Sequence, residues 1–258
     1  MTEQGQPNTG KYIYAVVPAC LEWCLDLSGI NGGAVYTISE GRVTAVVSDI
    51  ANDKIRPERR NLAAHLEVLK RLMERMAVLP MRFGIIADSH KVVQDVLSLN
   101  QEAFLDQLAR VAAKVEMGLR ITWDVPNIFD YFVNTHPELR AARDRFLSPE
   151  RRPTREGKIE VGELFVRLLE EDRDVYTRKV EEVLSPHCFE IKRNTCRNEK
   201  EVMNLACLVG RDSQAEFEDA VFEAAKLFDD NFTVDYNGPW APHNFVEMDL
   251  KFWAGATH

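Results

Sequence analysis

Between Val115 and Tyr236 the apolar residues change spacing repeatedly, from alternation to a helical period and back, and the order of these changes leaves few folds open. Val115 to Trp123 is strand-like, and Asn127 to Leu147 carries helical material. A long helix is expected over Gly157 to Leu184, with Leu164, Phe165, Leu168, Leu169, Val175, Tyr176, Val180 and Val183 set among charged residues and Pro186 as its stop. Two strands follow, Cys188 to Lys192 and Val202 to Val209. Ser213-Gln214-Ala215-Glu216 matches a capping box, opening a helix whose stripe is Phe217, Ala220, Val221, Ala224 and Phe228. Phe232 to Tyr236 returns as a strand, so the order is β-α-β-β-α-β, that of a ferredoxin-like unit.

The first half reads as a separate α+β unit. The β-prone run of Tyr12 to Val17 is a strand ended by Pro18, Ala19 to Leu27 can turn back as a short helix, and Ser28 to Gly33 is a loop. Val35 to Ile38 and Val43 to Val47 form two strands joined across Glu40-Gly41. Pro57 to Met76 places Leu62, Leu66, Leu69, Met73 and Met76 on one stripe of an amphipathic helix. Val78 to Ile86 reads as a strand, and Ser89 to Ala113 as one or two helices with Val92, Val93, Val96, Phe104, Leu108 and Val111 inward. The expected division is therefore an α+β domain over 1–113 and a ferredoxin-like domain over 114–258. The second would end in an extension whose Val246, Met248, Leu250 and Phe252 alternate as a last strand. Ser148-Pro149 and Arg151-Arg152-Pro153 are breakers among charge, so an exposed loop is expected through Arg151 to Glu156.

Composition narrows the function more than the fold. A net charge of −9 argues against affinity for nucleic-acid phosphates or anionic lipid surfaces, which select for basic excess. No apolar run is long enough to span a bilayer and the first ten residues are polar, so a cytoplasmic protein is expected. Five cysteines, an odd count, fit reduced thiols rather than a disulfide framework; Cys20 and Cys24 read as small buried hydrophobes among Leu21, Leu25 and Leu27.

Two segments far apart, Leu79-Pro80-Met81-Arg82-Phe83-Gly84 and Asn237-Gly238-Pro239-Trp240-Ala241-Pro242-His243-Asn244-Phe245-Val246, set an aromatic anchor beside Gly and Pro and supply no nucleophile with its base. Together with Ala45 to Asp49 and Asn204 to Val209, they make the chain from about Tyr12 to Val246 resemble the GvpF/GvpL family of gas vesicle accessory proteins. The resemblance implies two domains, an α+β one and a modified ferredoxin-like one; no cofactor is expected, because the His and Cys spacing fits no closed coordination set. The resemblance also implies association with the small hydrophobic main shell subunit and with other accessory proteins, in support of vesicle assembly. The chain departs from the family at Ala241-Pro242-His243, where Pro-Pro-Tyr is usual.

Six residues stand out as structural or interaction candidates: His65, Arg82, Phe83, Glu116, Trp240 and Phe245. His65 falls beside Leu62 and Leu69, which makes it a hydrogen-bonded core or domain-interface histidine before it is a catalyst. Arg82 lies between apolar neighbours and, if buried, needs an acid; Glu116 is the candidate partner. Trp240 lies between two prolines, so its indole is presented at low entropic cost, either as a docking surface or as a strap that closes the domains. His187, Cys188, Cys196 and Cys207 suit zinc by type, yet adjacent residues of a strand point to opposite faces and no paired spacing is present; no metal site is expected. Asp229-Asp230-Asn231 lacks the Gly and closing Glu of a calcium loop, and neither Ser48 nor Ser213 sits in a G-x-S-x-G elbow. The rival readings are an enzyme using an interdomain cleft, with His65, Arg82 and Glu116 within hydrogen-bond reach, and a ligand-binding regulatory module.

Overall fold

The computed structural model of the chain describes residues 9–19, 27–51, 54–148, 154–248 and Leu250. The fold is α+β, built on two sheets in two compact units: Met1–Glu116 together with Pro239–His258, and Met117–Gly238. The chain after Gly238 thus returns to the first unit, where the sequence placed it in the second. The reason is apolar: Phe245 is fully buried, and Val246, Met248 and Leu250 pack on the first unit's core. The described part of 246–250 forms no strand, and Phe252 lies outside the described residues.

The first unit's sheet comprises β1 (Thr9–Pro18), β2 (Val35–Glu40), β3 (Val43–Ala51), β4 (Leu79–Pro80) and β5 (Ile86–Ala87). Its order is β2-β3-β1-β4, with β5 also on β1. The β2–β3 hairpin closes at Glu40 and Val43 through Gly41, whose φ of 58° suits the tight turn. Central β3 buries Val43, Thr44, Ala45, Val46, Val47 and Ser48 in succession, as a strand covered on both faces must. In β1 the register shifts between Ile13 and Ala15, so Tyr14 is a bulged residue. One extra residue reverses the alternation: Ile13 and Val16 both reach one core, while Tyr12 and Tyr14 turn to the other face.

Two helices, α2 (His90–Leu99) and α3 (Gln101–Val111), cover the first of these faces after α1 (Arg59–Met73) has covered the second. Val93, Leu97, Phe104, Leu108 and Val111 pack there against Val16, Ile38, Val43, Val47 and Leu79. Ser89 caps α2 by accepting from the Val92 N–H at 3.3 Å. Helix α1 buries His65, Val68, Leu69, Leu72 and Met73, a face rotated from the expected stripe; Leu62 and Leu66 are left 38% and 42% exposed. The expected strand over Val78 to Ile86 is interrupted between β4 and β5, because Gly84 takes a φ of 92° and turns the chain.

The second unit holds β6 (Lys114–Trp123), α4 (Ile128–Thr135), α5 (Pro137–Phe146), α6 (Arg155–Leu184), β7 (Glu190–Arg193), β8 (Glu201–Gly210), α7 (Gln214–Ala225) and β9 (Phe232–Trp240). Two of these strands cross the unit boundary: β6 begins in the first unit and β9 ends in it. The sheet order β7-β8-β6-β9 is the arrangement a β-α-β-β-α-β chain gives in a ferredoxin-like unit. Trp123 and Phe132 meet edge to face at 5.3 Å, and Leu168, Leu169, Val180, Leu184 and Phe217 complete the core.

Two local expectations need correction here. Arg155 and Glu156 belong to α6, because Thr154 caps it by accepting from the Gly157 N–H at 3.1 Å; Arg151, Arg152 and Pro153 lie outside the described residues. Ser213 makes no side-chain cap at the start of α7: a short 3-10 turn, Arg211–Ser213, leads in, and the Gln214 side chain donates to the Arg211 carbonyl at 2.7 Å. Of the expected helix over Ala19 to Leu27, residues 20–26, with Cys20 and Cys24, also lie outside the described residues. Among those described, no helix is long and apolar enough to cross a membrane, and no cluster of His, Cys, Asp or Glu is placed to hold a metal ion.

Candidate functional site

All six candidate residues belong to the first unit. Beneath the β4–β5 interruption lies a buried aromatic cluster. Tyr12 and Tyr14 meet at 4.9 Å, His65 stacks on Tyr14 at 5.7 Å, and the half-buried Phe83 closes over Tyr12 and His65 at 6.0 and 5.8 Å. The β1 bulge puts both tyrosines on this face, and Gly84 lets Phe83 fold inward.

Hydrogen bonds tie the cluster together. The Gly84 N–H donates to the Tyr12 hydroxyl at 3.3 Å, and that hydroxyl lies 2.8 Å from Nδ1 of His65, where either group can donate. Nε2 of His65 is buried without a hydrogen bond of good geometry. Burial, and then the nearby His243, hold the His65 pKa down to about 4; the Met81 carbonyl offsets only part of this. Burial also pushes the Tyr12 phenol well above its usual value. Tyr14 is held separately, its hydroxyl 3.0 Å from the Ser48 hydroxyl and accepting from the Ile30 N–H at 2.8 Å. His65 is thus buried and within hydrogen-bond distance of the Tyr12 hydroxyl.

Gly84 gives a sharp test of this arrangement, since a Cβ there meets no other atom and only the backbone is at issue. Gly84→Ala is expected to cost about 1–2 kcal/mol through its positive φ. Gly162, inside α6 and also in open space, is expected to respond oppositely, with Gly162→Ala gaining about 0.5–1 kcal/mol from helix propensity alone. Urea midpoints of the two variants, moving in opposite directions at unchanged slope, check both.

The second candidate segment is anchored by Glu116. Its carboxylate, almost entirely buried, accepts from the Asn244 backbone N–H at 2.8 Å and from the Asn244 side-chain amide at 2.6 Å. Short turns tighten the chain on either side, with the His243 N–H on the Ala241 carbonyl at 2.7 Å and the Phe245 N–H on the Pro242 carbonyl at 3.1 Å. Phe245, Ala241 and Pro242 face inward; Trp240 stays 42% exposed. Arg82 does not pair with Glu116. It sits in the bend between β4 and β5 with its side chain in solvent, where it needs no counterion, and Asn244 has taken the carboxylate. His243 is lowered in pKa by desolvation and then by the Arg82 cation, but its edge remains in water, so His65 is the group that most resists protonation.

The structure therefore assigns His65, Arg82 and Glu116 to three separate surroundings and assembles no acid–base constellation from them. Sequence reasoning missed Tyr12, Tyr14 and Asn244. Nothing in composition marks Asn244, although it lies inside the Gly/Pro-bounded segment; the tyrosines were legible only as β-prone residues. Along the exposed edge of α1, Leu66, Lys70 and Met73 line a groove of about 250 Å³ whose other wall is Pro239, Trp240, Ala241 and His243.

A two-unit α+β chain of this kind, with its site polar groups bound internally, is matched from residue 10 to residue 247 by the family model of gas vesicle synthesis protein GvpL/GvpF, and the chain belongs to that family. Gas vesicle protein F of Dolichospermum flosaquae is 25% identical over 241 residues, spanning 92% of this chain and 98% of that protein. Gas vesicle protein F of a Streptomyces species is 29% identical over 217 residues, spanning 83% and 88%. The fold is also that of the crystal structure of gas vesicle protein GvpF from Anabaena sp. PCC7120. That structure superposes with a TM-score of 0.80 at 24% identity and covers 93% of this chain and 99% of that one. The GvpF crystal structure from Microcystis aeruginosa gives the same TM-score at 22% identity.

Proposed function

We propose that this chain is a non-enzymatic accessory or minor structural protein of the gas vesicle, which binds the hydrophobic main shell subunit and supports assembly of the shell. The observation that carries the reading is the disposition of the site. His65 and Glu116 are held by internal hydrogen bonds, and the surface beside them includes solvent-facing apolar side chains, namely Leu62, Leu66 and Trp240. Such a surface suits holding an aggregation-prone partner and offers no group for turnover. Other accessory proteins are further partners, the vesicle and the surrounding cytoplasm are the location, and neither nucleic acid nor lipid is required. No cofactor or metal takes part.

The test is co-purification of the tagged chain with the shell subunit, together with vesicle counts in cells lacking the chain. Recovery of the shell subunit and loss or malformation of vesicles are expected. Normal vesicles in its absence, with no vesicle component recovered, would return the enzyme and ligand-binding readings to the front.

A further inference from the structure

We infer that the groove between α1 and the Pro239–His243 stretch is where the shell subunit docks, and that it receives an apolar side chain with a carboxylate beside it. This rests on the shell-binding reading above and adds a surface and a chemistry to it.

The first observation is an apolar stripe that outruns its cover. Leu62, Leu66, Leu69 and Met73 lie along one line of α1 at spacings of four, three and four. The core covers the C-terminal half of that line, Leu69 and Met73, and leaves the N-terminal half in water. Leu66 lines the groove together with Trp240, so aliphatic and aromatic surface from two distant parts of the chain converge on one concavity. Single exposed apolar residues are ordinary; convergence in a groove is not.

The second is rigidity. Pro239 and Pro242 bracket Trp240, Ala241 and Pro242 are buried beside it, and Asn244 is held at both ends by Glu116. The backbone that carries the indole is fixed before any partner arrives, which removes part of the ordering cost of association.

The third is charge, and it selects the partner. Of the ionisable groups on the lining, Glu67 is paired with Arg71 at 2.9 Å, Glu116 is bound to Asn244, and desolvation and then the Arg82 cation disfavour the charged form of His243. Lys70 makes no ion pair with a described residue. The groove therefore presents apolar walls with one uncommitted cation at the rim. The complement is a segment whose aliphatic or aromatic side chain enters while an adjacent carboxylate meets the ammonium; a basic segment would bring a like charge to Lys70.

The experiment co-expresses the full chain with the shell subunit and measures the shell subunit recovered per bait. Leu66→Lys, at an exposed position where lysine is a good helix former, is expected to lower recovery about tenfold or more, and Trp240→Ala to do likewise. Lys70→Glu is expected to lower it about threefold to tenfold at low salt, with the difference narrowing as salt rises. Phe222→Ser, on α7 at a residue 62% exposed, is expected to leave recovery unchanged. Circular dichroism and melting of each variant separate lost binding from lost fold. Wild-type recovery by a folded Leu66→Lys, or a loss with Phe222→Ser that equals it, would overturn the groove and leave shell binding standing. No recovery with the unaltered chain would overturn the proposed function and this site with it.

Discussion

Replacing Phe245 by alanine is expected to cost about 3–5 kcal/mol, because a fully buried phenylalanine is deleted from a core that cannot close around the space. The result decides more than a side chain. Phe245 lies at the far end of the chain yet packs within the unit formed mainly by Met1–Glu116, so the loss measures how far that unit depends on its last segment. Trp240→Ala, five residues earlier and partly exposed, is expected to cost about 1 kcal/mol or less. Guanidinium unfolding of both variants makes the comparison. A Phe245→Ala cost as small as that of Trp240→Ala would mean the segment is an appendage.

Acid is expected to destabilise the chain through His65. An ordinary histidine, as in the unfolded chain, titrates near 6.5, whereas burial and the neighbouring His243 hold the folded pKa at about 4. The unfolded state therefore binds the proton first as pH falls. The contribution is fully present above pH 6.5, shrinks between 6.5 and 4, and is gone below 4, a change of about 3 kcal/mol in all. His243 acts in the same direction. Because the Tyr12 hydroxyl meets Nδ1, a glutamine amide at position 65 can accept from or donate to that hydroxyl without titrating. His65→Gln is thus expected to flatten the stability profile between pH 6.5 and 4 while leaving other acid-sensitive slopes in place. Equal slopes in the two proteins would show that His65 does not resist protonation.

Most of the fold was legible because periodicity reports burial directly. The β3 run from Val43, the Phe217–Ala224 stripe of α7 and the strand–helix order of the second unit all follow from which residues must leave water. Three features were not legible, each for a different reason. The β1 bulge adds one residue to a strand whose composition is uniformly β-prone, so nothing in Tyr12 to Val17 signals that Tyr12 and Tyr14 turn away from Val16. Helix α1 has apolar side chains on two adjacent lines, and the helical period alone does not choose between Leu62–Leu66 and His65–Val68–Leu72 as the buried one. The return of the chain after Gly238 depends on contacts more than a hundred residues apart, such as Asn244 with Glu116 at a separation of 128, and local pattern carries no such distance. For the site, residue type misled in one case: Arg82 between apolar neighbours implied a buried ion pair, and the turn at Gly84 put it in solvent instead.

The return of the chain also sets a clock during synthesis. Everything in Met117–Gly238 must leave the ribosome before Asn244 can reach Glu116 or Phe245 can enter its core, a wait on the order of ten seconds at ordinary elongation rates. The intervening unit is continuous in sequence and can fold during that wait, while the earlier one still lacks its last segment. Since α1 emerges early and Trp240 late, the two walls of the groove coexist only once Met117–Gly238 has been made. A nascent chain that has not yet reached Pro239 cannot capture a partner there, so the intervening unit delays the moment at which that surface first exists.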